Sequence, residues 1–265
     1  MTSLKIKWII FSLVLASCIV AGIAVIGGYG GNGSSSAIST EAGGTLAPIQ
    51  GSMEKLVLET SFPKAPSTVP LYVVKSVDTI QEGNEKLSMA IKNSIPTADE
   101  APALAEKSLE AYGGLPKDAS LINAIPLYRS KYNLATQTVE EKYPVRTQVR
   151  YIQKIDGYPV YKSGISLMLG ENGEILDIYK HWITTYEISG EAPVISAEEG
   201  YEKLQKGGTT AALQGNVPEG TRISDIEFGY YFDEKNSNVL KPVWVYKAIM
   251  GPDLEPFNLY VDAAQ

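Results

Sequence analysis

The chain has 265 residues, of which 44% are hydrophobic, so it is long and apolar enough to fold around its own core. Its formal net charge is −7 at pH 7 and no clustered basic stretch is visible, which argues against a nucleic-acid partner. The sequence has one cysteine, so an intramolecular disulfide is excluded and the fold depends on its packed core.

An apolar run covers residues 8–27 and follows Lys5 and Lys7. About 20 residues of helix rise about 30 Å, which is the thickness of the hydrocarbon core of a bilayer. No further Lys or Arg occurs before Lys55, so the positive-inside rule predicts a cytoplasmic N-terminus and an extracytoplasmic remainder. The sequence therefore predicts a single-pass protein of the cell membrane, anchored by residues 1–27.

Two alternatives for this segment stay open. The sequence LASC at residues 15–18 resembles a bacterial lipobox, in which Cys18 would be lipidated. Cleavage of a signal peptide near Ala24 is the second alternative. Residues 28–52 are rich in Gly and Ser and are predicted to form a flexible tether, which contains a glycosylation sequon at Asn32.

Two capping boxes predict helix starts in the remainder of the chain. In each box a hydroxyl accepts a backbone N–H and a glutamate three residues later reaches back to the cap, as expected for Thr97 with Glu100 and for Ser196 with Glu199. Pro102 lies just inside the first box, so that helix is expected to start late or to bend.

Strand periodicity follows both helices. The predicted strands cover residues 145–155, 158–169 and 175–183 after the first helix and residues 223–232, 242–249 and 257–261 after the second. Further strands are expected at 55–60 and 71–77. The predicted fold is α+β, with two tandem units, 53–188 and 189–265, that each place a helix on an antiparallel sheet after an N-terminal transmembrane helix.

Three stretches carry a family resemblance: SAEEGYEKLQKG, YPVYKSGISLMLGENGEILDI and the final KPVWVYKAIM with FNLYVDA. Their order over residues 98–263 resembles the PepSY/FTP class, which occurs in peptidase propeptides and in regulators of the YycI type. The resemblance implies a non-catalytic domain that binds or restrains a protein partner, often a protease or a sensor kinase. It implies no catalytic residue.

Catalysis is difficult to assemble from the residues present. His181 is the single histidine, so a two-histidine zinc site is excluded, and a structural role is expected for it. No Gly-x-Ser-x-Gly or Walker-type glycine motif occurs. A calcium loop at residues 233–238 is conceivable, although its spacing departs from that of an EF-hand. We expect no cofactor and no enzymatic activity.

The function expected from the sequence is that of a membrane-anchored, extracytoplasmic module that binds a protein partner. Aromatic residues supply large contact areas at low entropic cost, which makes the strand tyrosines candidate contacts. These candidates are Tyr151, Tyr161, Tyr230, Tyr231 and Tyr246. The alternatives are a structural component of the cell envelope and a carboxylate-dependent hydrolase.

Overall fold

The computed structural model describes residues 56–83, 94–207, 220–249 and 256–265. About 60% of these residues lie in strands and 13% in helices. The strands are β1 (Val57–Leu58), β2 (Thr68–Gly83), β3 (Ala119–Asn133), β4 (Thr138–Ile155), β5 (Tyr158–Leu169), β6 (Ile175–Pro193), β7 (Arg222–Tyr231), β8 (Lys241–Ile249) and β9 (Phe257–Asp262). The α-helices are α1 (Ala101–Leu109) and α2 (Ala197–Gln205), and single 3-10 turns lie at Glu110–Tyr112 and Glu171–Gly173.

The chain forms two compact units, and neither is a continuous segment. In the described residues, the first unit consists of Pro70–Glu191 and Gly229–Lys241. The second unit consists of residues 56–69, Ala192–Phe228 and Pro242–Gln265, as far as these are described. The boundary that the sequence suggests between 188 and 189 stays a prediction.

The first unit is built on a sheet in which the strands lie in the order β3, β4, β5, β6 and β2. The pairs β3–β4, β4–β5 and β5–β6 are antiparallel. Because side chains alternate across a strand, one face of this sheet carries Val149, Ile165, Leu167 and Ile178, which are fully buried against α1. This layer is the main hydrophobic core of the unit.

The position of α1 follows from its cap and its proline. The backbone N–H of Thr97 donates to Glu100 Oε2 at 3.0 Å, and the N–H of Glu100 donates to Thr97 Oγ1 at 3.3 Å, so the predicted capping box is confirmed. Regular helix begins only at Ala101, with Pro102 in the first turn where a missing N–H is tolerated. Gly113, with a φ of 90°, provides the left-handed residue after the 3-10 turn.

The second unit contains α2, β8, β9 and most of β7. The predicted cap of α2 is confirmed, because Ser196 Oγ accepts from the N–H of Glu199 at 3.1 Å and the glutamate side chain accepts from Ser196 N at 2.8 Å. The indole of Trp244 donates to Ile195 O at 3.0 Å and the hydroxyl of Tyr246 donates to Ala197 O at 2.7 Å. These two buried side chains fix the start of α2 in its unit.

The prediction of two tandem helix-on-sheet units is wrong. If the second unit repeated the first, β7 would pair only with antiparallel strands that follow α2. Instead, β7 pairs in parallel with β1, where Leu58 is opposite Ile223. Its last residues belong to the first unit, where Tyr230 and Val160 are parallel register partners. The α+β class is also wrong, because strands dominate the described residues.

The membrane prediction must be corrected as well. Within the described ranges, no helix combines the length and the apolar character needed to cross a bilayer. The predicted anchor at 1–27 and the tether at 28–52 lie outside the described residues, together with Cys18 and Asn32. The structure therefore gives the predicted single-pass localisation no support.

Candidate functional site: the β3–β4 arm

The five tyrosines that the sequence suggests as partner contacts are all buried. Their exposed fractions are 2% for Tyr151, 4% for Tyr161, 0% for Tyr230, 9% for Tyr231 and 0% for Tyr246. Tyr151 donates to Pro102 O at 3.3 Å, and burial raises its pKa to about 12. In this structure the five rings build the cores of the two units, and exposed surface for a partner must come from other residues.

His181 has a structural environment in the first unit. Its Nδ1 lies 2.8 Å from Lys162 O and its Nε2 lies 3.0 Å from Glu234 Oε2, while the ring stacks on Phe232 with centroids 5.7 Å apart. Each ring nitrogen therefore lies within hydrogen-bond distance of an oxygen atom. The contact between His181 and Glu234 connects β6 to the loop after β7. Packing and hydrogen bonding account for the environment of His181.

The loop considered for calcium is closed by its own hydrogen bonds. Asn236 Nδ2 donates to Asp233 Oδ2 at 2.6 Å, and Ser237 N donates to Asp233 O at 2.8 Å. The remaining carboxylate, Glu234, faces His181. In the described part of the chain, no group of three or more His, Cys, Asp or Glu side chains is placed to hold a metal ion.

Exposed apolar side chains are concentrated on one hairpin. The described residues contain nine large hydrophobic side chains that are exposed, and six of them belong to the β3–β4 hairpin. The six are Leu121 (46%), Ile122 (37%), Tyr128 (48%), Tyr132 (43%), Leu134 (54%) and Val139 (54%). Such a concentration on one element is typical of an interaction surface, whereas single exposed apolar residues are ordinary.

The distal part of this hairpin is a two-stranded arm, which we define as residues 128–144. The pairing of β4 with β5 begins only at Thr147, which is opposite Leu169. Before that residue, β4 is paired only with β3, from Tyr128 opposite Pro144 to Asn133 opposite Thr138. Among the described residues, no third strand pairs with the outer edge of either strand of this ribbon.

One face of the arm is apolar. Tyr132 and Val139 are register partners. Strand alternation places Tyr128, four residues earlier on β3, on the same side, although the β3–β4 register shifts between Lys131 and Tyr132. The ammonium of Lys142 lies 4.7 Å from the centroid of the Tyr128 ring, which holds that ring by a cation–π contact. The arm thus presents two oriented tyrosines and one β-branched residue.

Polar contacts hold the arm together from its edges and its tip. Lys131 Nζ lies 3.4 Å from Glu141 Oε1, and Asn133 Nδ2 donates to Glu140 Oε1 at 2.7 Å. At the tip, Asn133 Oδ1 accepts from the N–H of Ala135 at 2.9 Å, which closes an Asx turn. These contacts favour an ordered conformation of the arm over a flexible loop.

The sequence contains an alternating pattern at the arm, but it does not suffice to predict a strand. The arm lies between the first helix and residue 145, where the sequence analysis predicts no strand. The pattern Tyr128, Ser130, Tyr132 places aromatic residues on one side of a strand, but the other side carries Arg129 and Lys131 and the next strand carries Glu140 and Glu141. Without a buried face, the alternation resembles that of a polar loop.

Comparisons with known proteins identify the family to which this chain belongs. The YycI family model, described as "YycI protein", matches residues 74–250, which is more than half of the chain and includes the arm. No curated protein matches. Among solved structures, an uncharacterized protein from Eubacterium rectale ATCC 33656 is similar with 13% identity and a TM-score of 0.35, and the match covers 67% of this chain and 55% of that one. By the family match, this chain belongs to the YycI family of regulatory proteins.

Proposed function

We propose that this chain acts as a non-catalytic regulatory protein that binds a protein partner through the apolar face of the β3–β4 arm. The observation that carries the proposal is the concentration of exposed apolar side chains on this one hairpin. The family relationship supports a sensor kinase as the first partner to test. The proposal includes a role in restraining or modulating the partner, which the PepSY/FTP resemblance of the sequence implies.

The arm has the chemistry of a binding hot spot. Tyr128 and Tyr132 present rigid rings that carry both an apolar face and a hydroxyl, and such residues are enriched among the strongest contributors to interfaces. Loss of one hot-spot side chain costs about 2 kcal/mol or more of binding free energy, which is about a 30-fold change in affinity. The polar contacts of Lys131 and Asn133 preorganise the arm and reduce the entropic cost of ordering it on binding.

The absence of catalysis is part of the same proposal. It is supported by the environment of His181, whose two nitrogens are both engaged by Lys162 O and Glu234. An assay of the purified protein with peptidase, esterase and glycosidase substrates tests this part. Turnover that is lost on replacement of His181 or of one carboxylate would contradict it.

The binding part is tested by matched pairs of substitutions. Tyr132→Ser and Val139→Ser remove apolar surface from the arm. Tyr186→Ser and Ile188→Ser likewise remove one tyrosine and one β-branched aliphatic side chain, at positions on β6 that are 40% and 64% exposed. The measured quantity is the affinity for a purified sensor kinase from the same genome. We expect the arm variants to lose at least about 30-fold and the β6 variants to bind normally.

Comparison of the arm and β6 variants distinguishes a specific contact at the arm from a general effect of surface hydrophobicity. If the two β6 variants weaken binding as much as the two arm variants, the arm is not the contact. If all four variants bind with the affinity of the unmodified protein, partner binding resides elsewhere.

A further inference from the structure

A row of four tyrosine rings reaches the surface of the first unit. Tyr72 meets Tyr186 edge to face with centroids 5.3 Å apart, and it meets Tyr230 in the same way with centroids 5.2 Å apart. Tyr158 packs on Tyr230 at the other end of the row, with centroids 6.3 Å apart. Tyr72 and Tyr230 are fully buried, whereas Tyr186 is 40% exposed. Tyr186 therefore presents an aromatic ring at the surface, and a buried neighbour holds it in place.

The carboxylate of Asp156 is fixed beside this row of rings. Asp156 and Gly157 join β4 to β5, and their φ values of 50° and 84° are those of a two-residue hairpin turn. The hydroxyl of Tyr72 donates to Asp156 Oδ2. Burial and, after it, this hydrogen bond raise the pKa of Tyr72, so the phenol remains a neutral donor. In the described part of the chain, the second oxygen of this exposed carboxylate has no hydrogen-bond partner.

A second carboxylate, that of Asp118, lies near the same exposed ring. Its Oδ2 accepts from Gln153 Nε2 at 2.7 Å, which fixes its position. Burial and, after it, the negative charges of Asp156 and Asp118 raise the pKa of Tyr186, which indicates that both carboxylates lie near its hydroxyl. Among the described residues, neither carboxylate forms an ion pair with a Lys, Arg or His side chain. Both negative charges therefore lack a cationic partner in that part of the chain.

An exposed aromatic ring with two carboxylates beside it matches the chemistry of an arginine side chain. A guanidinium stacks on an aromatic ring and donates to carboxylates through several N–H groups at once. An anion would be repelled by both carboxylates. A metal ion fits less well, because no group of three or more His, Cys, Asp or Glu side chains in the described ranges is placed to hold one. The ligand class that these groups favour is therefore an organic cation with a planar face.

We propose that Tyr186, Asp156 and Asp118 bind an arginine side chain in an exposed segment of a second protein. The guanidinium lies against the Tyr186 ring and donates to the second oxygen of Asp156, while Asp118 adds negative charge. The net charge of −7 on the whole chain favours the approach of a basic segment.

This site is separate from the apolar face of the arm. Tyr186 lies on β6 and Asp156 lies in the turn between β4 and β5, whereas the arm consists of residues 128–144. The second protein also differs from the sensor kinase proposed for the arm, because substitution of Tyr186 is expected to leave kinase binding intact. The site therefore does not depend on the proposed function.

The probe for the test is a fluorescent peptide of Gly and Ser residues with one central arginine. Its control carries citrulline, a neutral isostere of arginine, at the same position. Fluorescence anisotropy with the full chain measures both affinities. We expect saturable binding of the arginine peptide, binding of the citrulline peptide that is weaker by about tenfold or more, and loss of affinity with added salt.

Substitutions of the two main contacts test the site itself. Asp156→Asn removes the charge but keeps an oxygen for the Tyr72 hydroxyl and a residue type that tolerates the left-handed turn, so the fold should be retained. It should lower the affinity for the arginine peptide by about tenfold. Tyr186→Phe keeps the ring and should bind like the unmodified protein, whereas Tyr186→Leu removes the ring and should weaken binding by about threefold or more. A thermal unfolding curve for each variant shows whether the fold is retained.

The control is Glu106→Gln, which removes one negative charge from an exposed position on α1 and should leave the peptide affinity unchanged. Three results would overturn the proposal. They are equal affinity for the arginine and citrulline peptides, equal weakening by Glu106→Gln and Asp156→Asn, and unchanged binding by Tyr186→Leu. The arm variant Tyr132→Ser should bind the arginine peptide normally, and Asp156→Asn should bind the sensor kinase normally. Failure of the arm as a partner contact and failure of the arginine site are therefore distinguishable.

Discussion

Tyr132 and Val139 are register partners across the β3–β4 arm, and their side chains are 43% and 54% exposed. Cross-strand aromatic and β-branched pairs contribute about 0.2–1 kcal/mol to a sheet, most effectively when a further layer covers them. Here β4 has no pairing with β5 before Thr147, so the pair belongs to a ribbon of two strands. The side chains that a partner could contact therefore contribute little to the stability of the fold.

This relationship predicts a contrast between two tyrosines. Tyr132→Ala should lower the free energy of unfolding by less than about 1 kcal/mol, because it removes one exposed cross-strand contact. Tyr151→Ala should cost about 3–5 kcal/mol, because that ring is 2% exposed and lies under α1. Chemical denaturation of the two variants measures both values. A loss at Tyr132 as large as that at Tyr151 would show that the arm is integral to the core.

A second prediction concerns local opening of the arm. Residues 139–144 have strand partners on one side, whereas residues 148–152 lie between β3 and β5. Backbone hydrogen bonds in the thinner ribbon should break without unfolding of the sheet, so amide hydrogens of 139–144 should exchange faster. Hydrogen–deuterium exchange read by mass spectrometry measures the difference. Equal protection in the two stretches would contradict the two-stranded description.

Local pattern was sufficient to predict much of the secondary structure. The predicted strands at 145–155, 158–169 and 175–183 lie within β4, β5 and β6, because each has one face under α1 and therefore alternates. The strands predicted after the second helix overlap β7, β8 and β9. The caps at Thr97 and Ser196 were predictable because the capping box is a contact within four residues.

The assembly of these elements was not predictable from local pattern. The parallel pairing of β7 with β5 at Tyr230 and Val160 joins residues 70 positions apart, and nothing in their periodicity identifies that partner. The burial of the five tyrosines was also not predictable, because a ring that hydrogen-bonds a buried carbonyl, as Tyr246 does with Ala197 O, has the same sequence pattern as an exposed one. Strand periodicity does not predict the arm, because the arm lacks a buried face.

A third prediction concerns the close approach of α2 to β8. A Cβ built on Gly200 would lie 3.1 Å from Trp244 Cδ1 and would also meet the hydroxyl of Tyr246. Both aromatic side chains are fully buried and tied by hydrogen bonds, so they have little room to move. Gly200→Ala should therefore destabilise the protein by about 1–3 kcal/mol despite the better helix propensity of alanine.

The control for this prediction is Gly190→Ala on β6, where an added Cβ has no neighbour within 4 Å. That substitution should change the free energy of unfolding by less than about 0.5 kcal/mol. Thermal and chemical unfolding of both variants provide the comparison. A neutral or stabilising effect of Gly200→Ala would show that α2 can shift away from β8.

The last prediction is a pH dependence at the cap of α1. The pKa of Glu100 is lowered, first by the backbone N–H of Thr97 and then by the Thr97 hydroxyl, because both donate to the ionised carboxylate. A carboxyl with a lower pKa in the folded state stabilises that state at pH values above its unfolded pKa, which is about 4.3 for glutamate. This stabilisation is lost as the pH falls through the folded pKa. Glu100→Gln should therefore lower the melting temperature at pH 7 and have a smaller effect at pH 3. The control is Glu106→Gln, because Glu106 is exposed on the same helix and its replacement tests for a general effect of charge. If the two variants show the same dependence on pH, the cap is not its source.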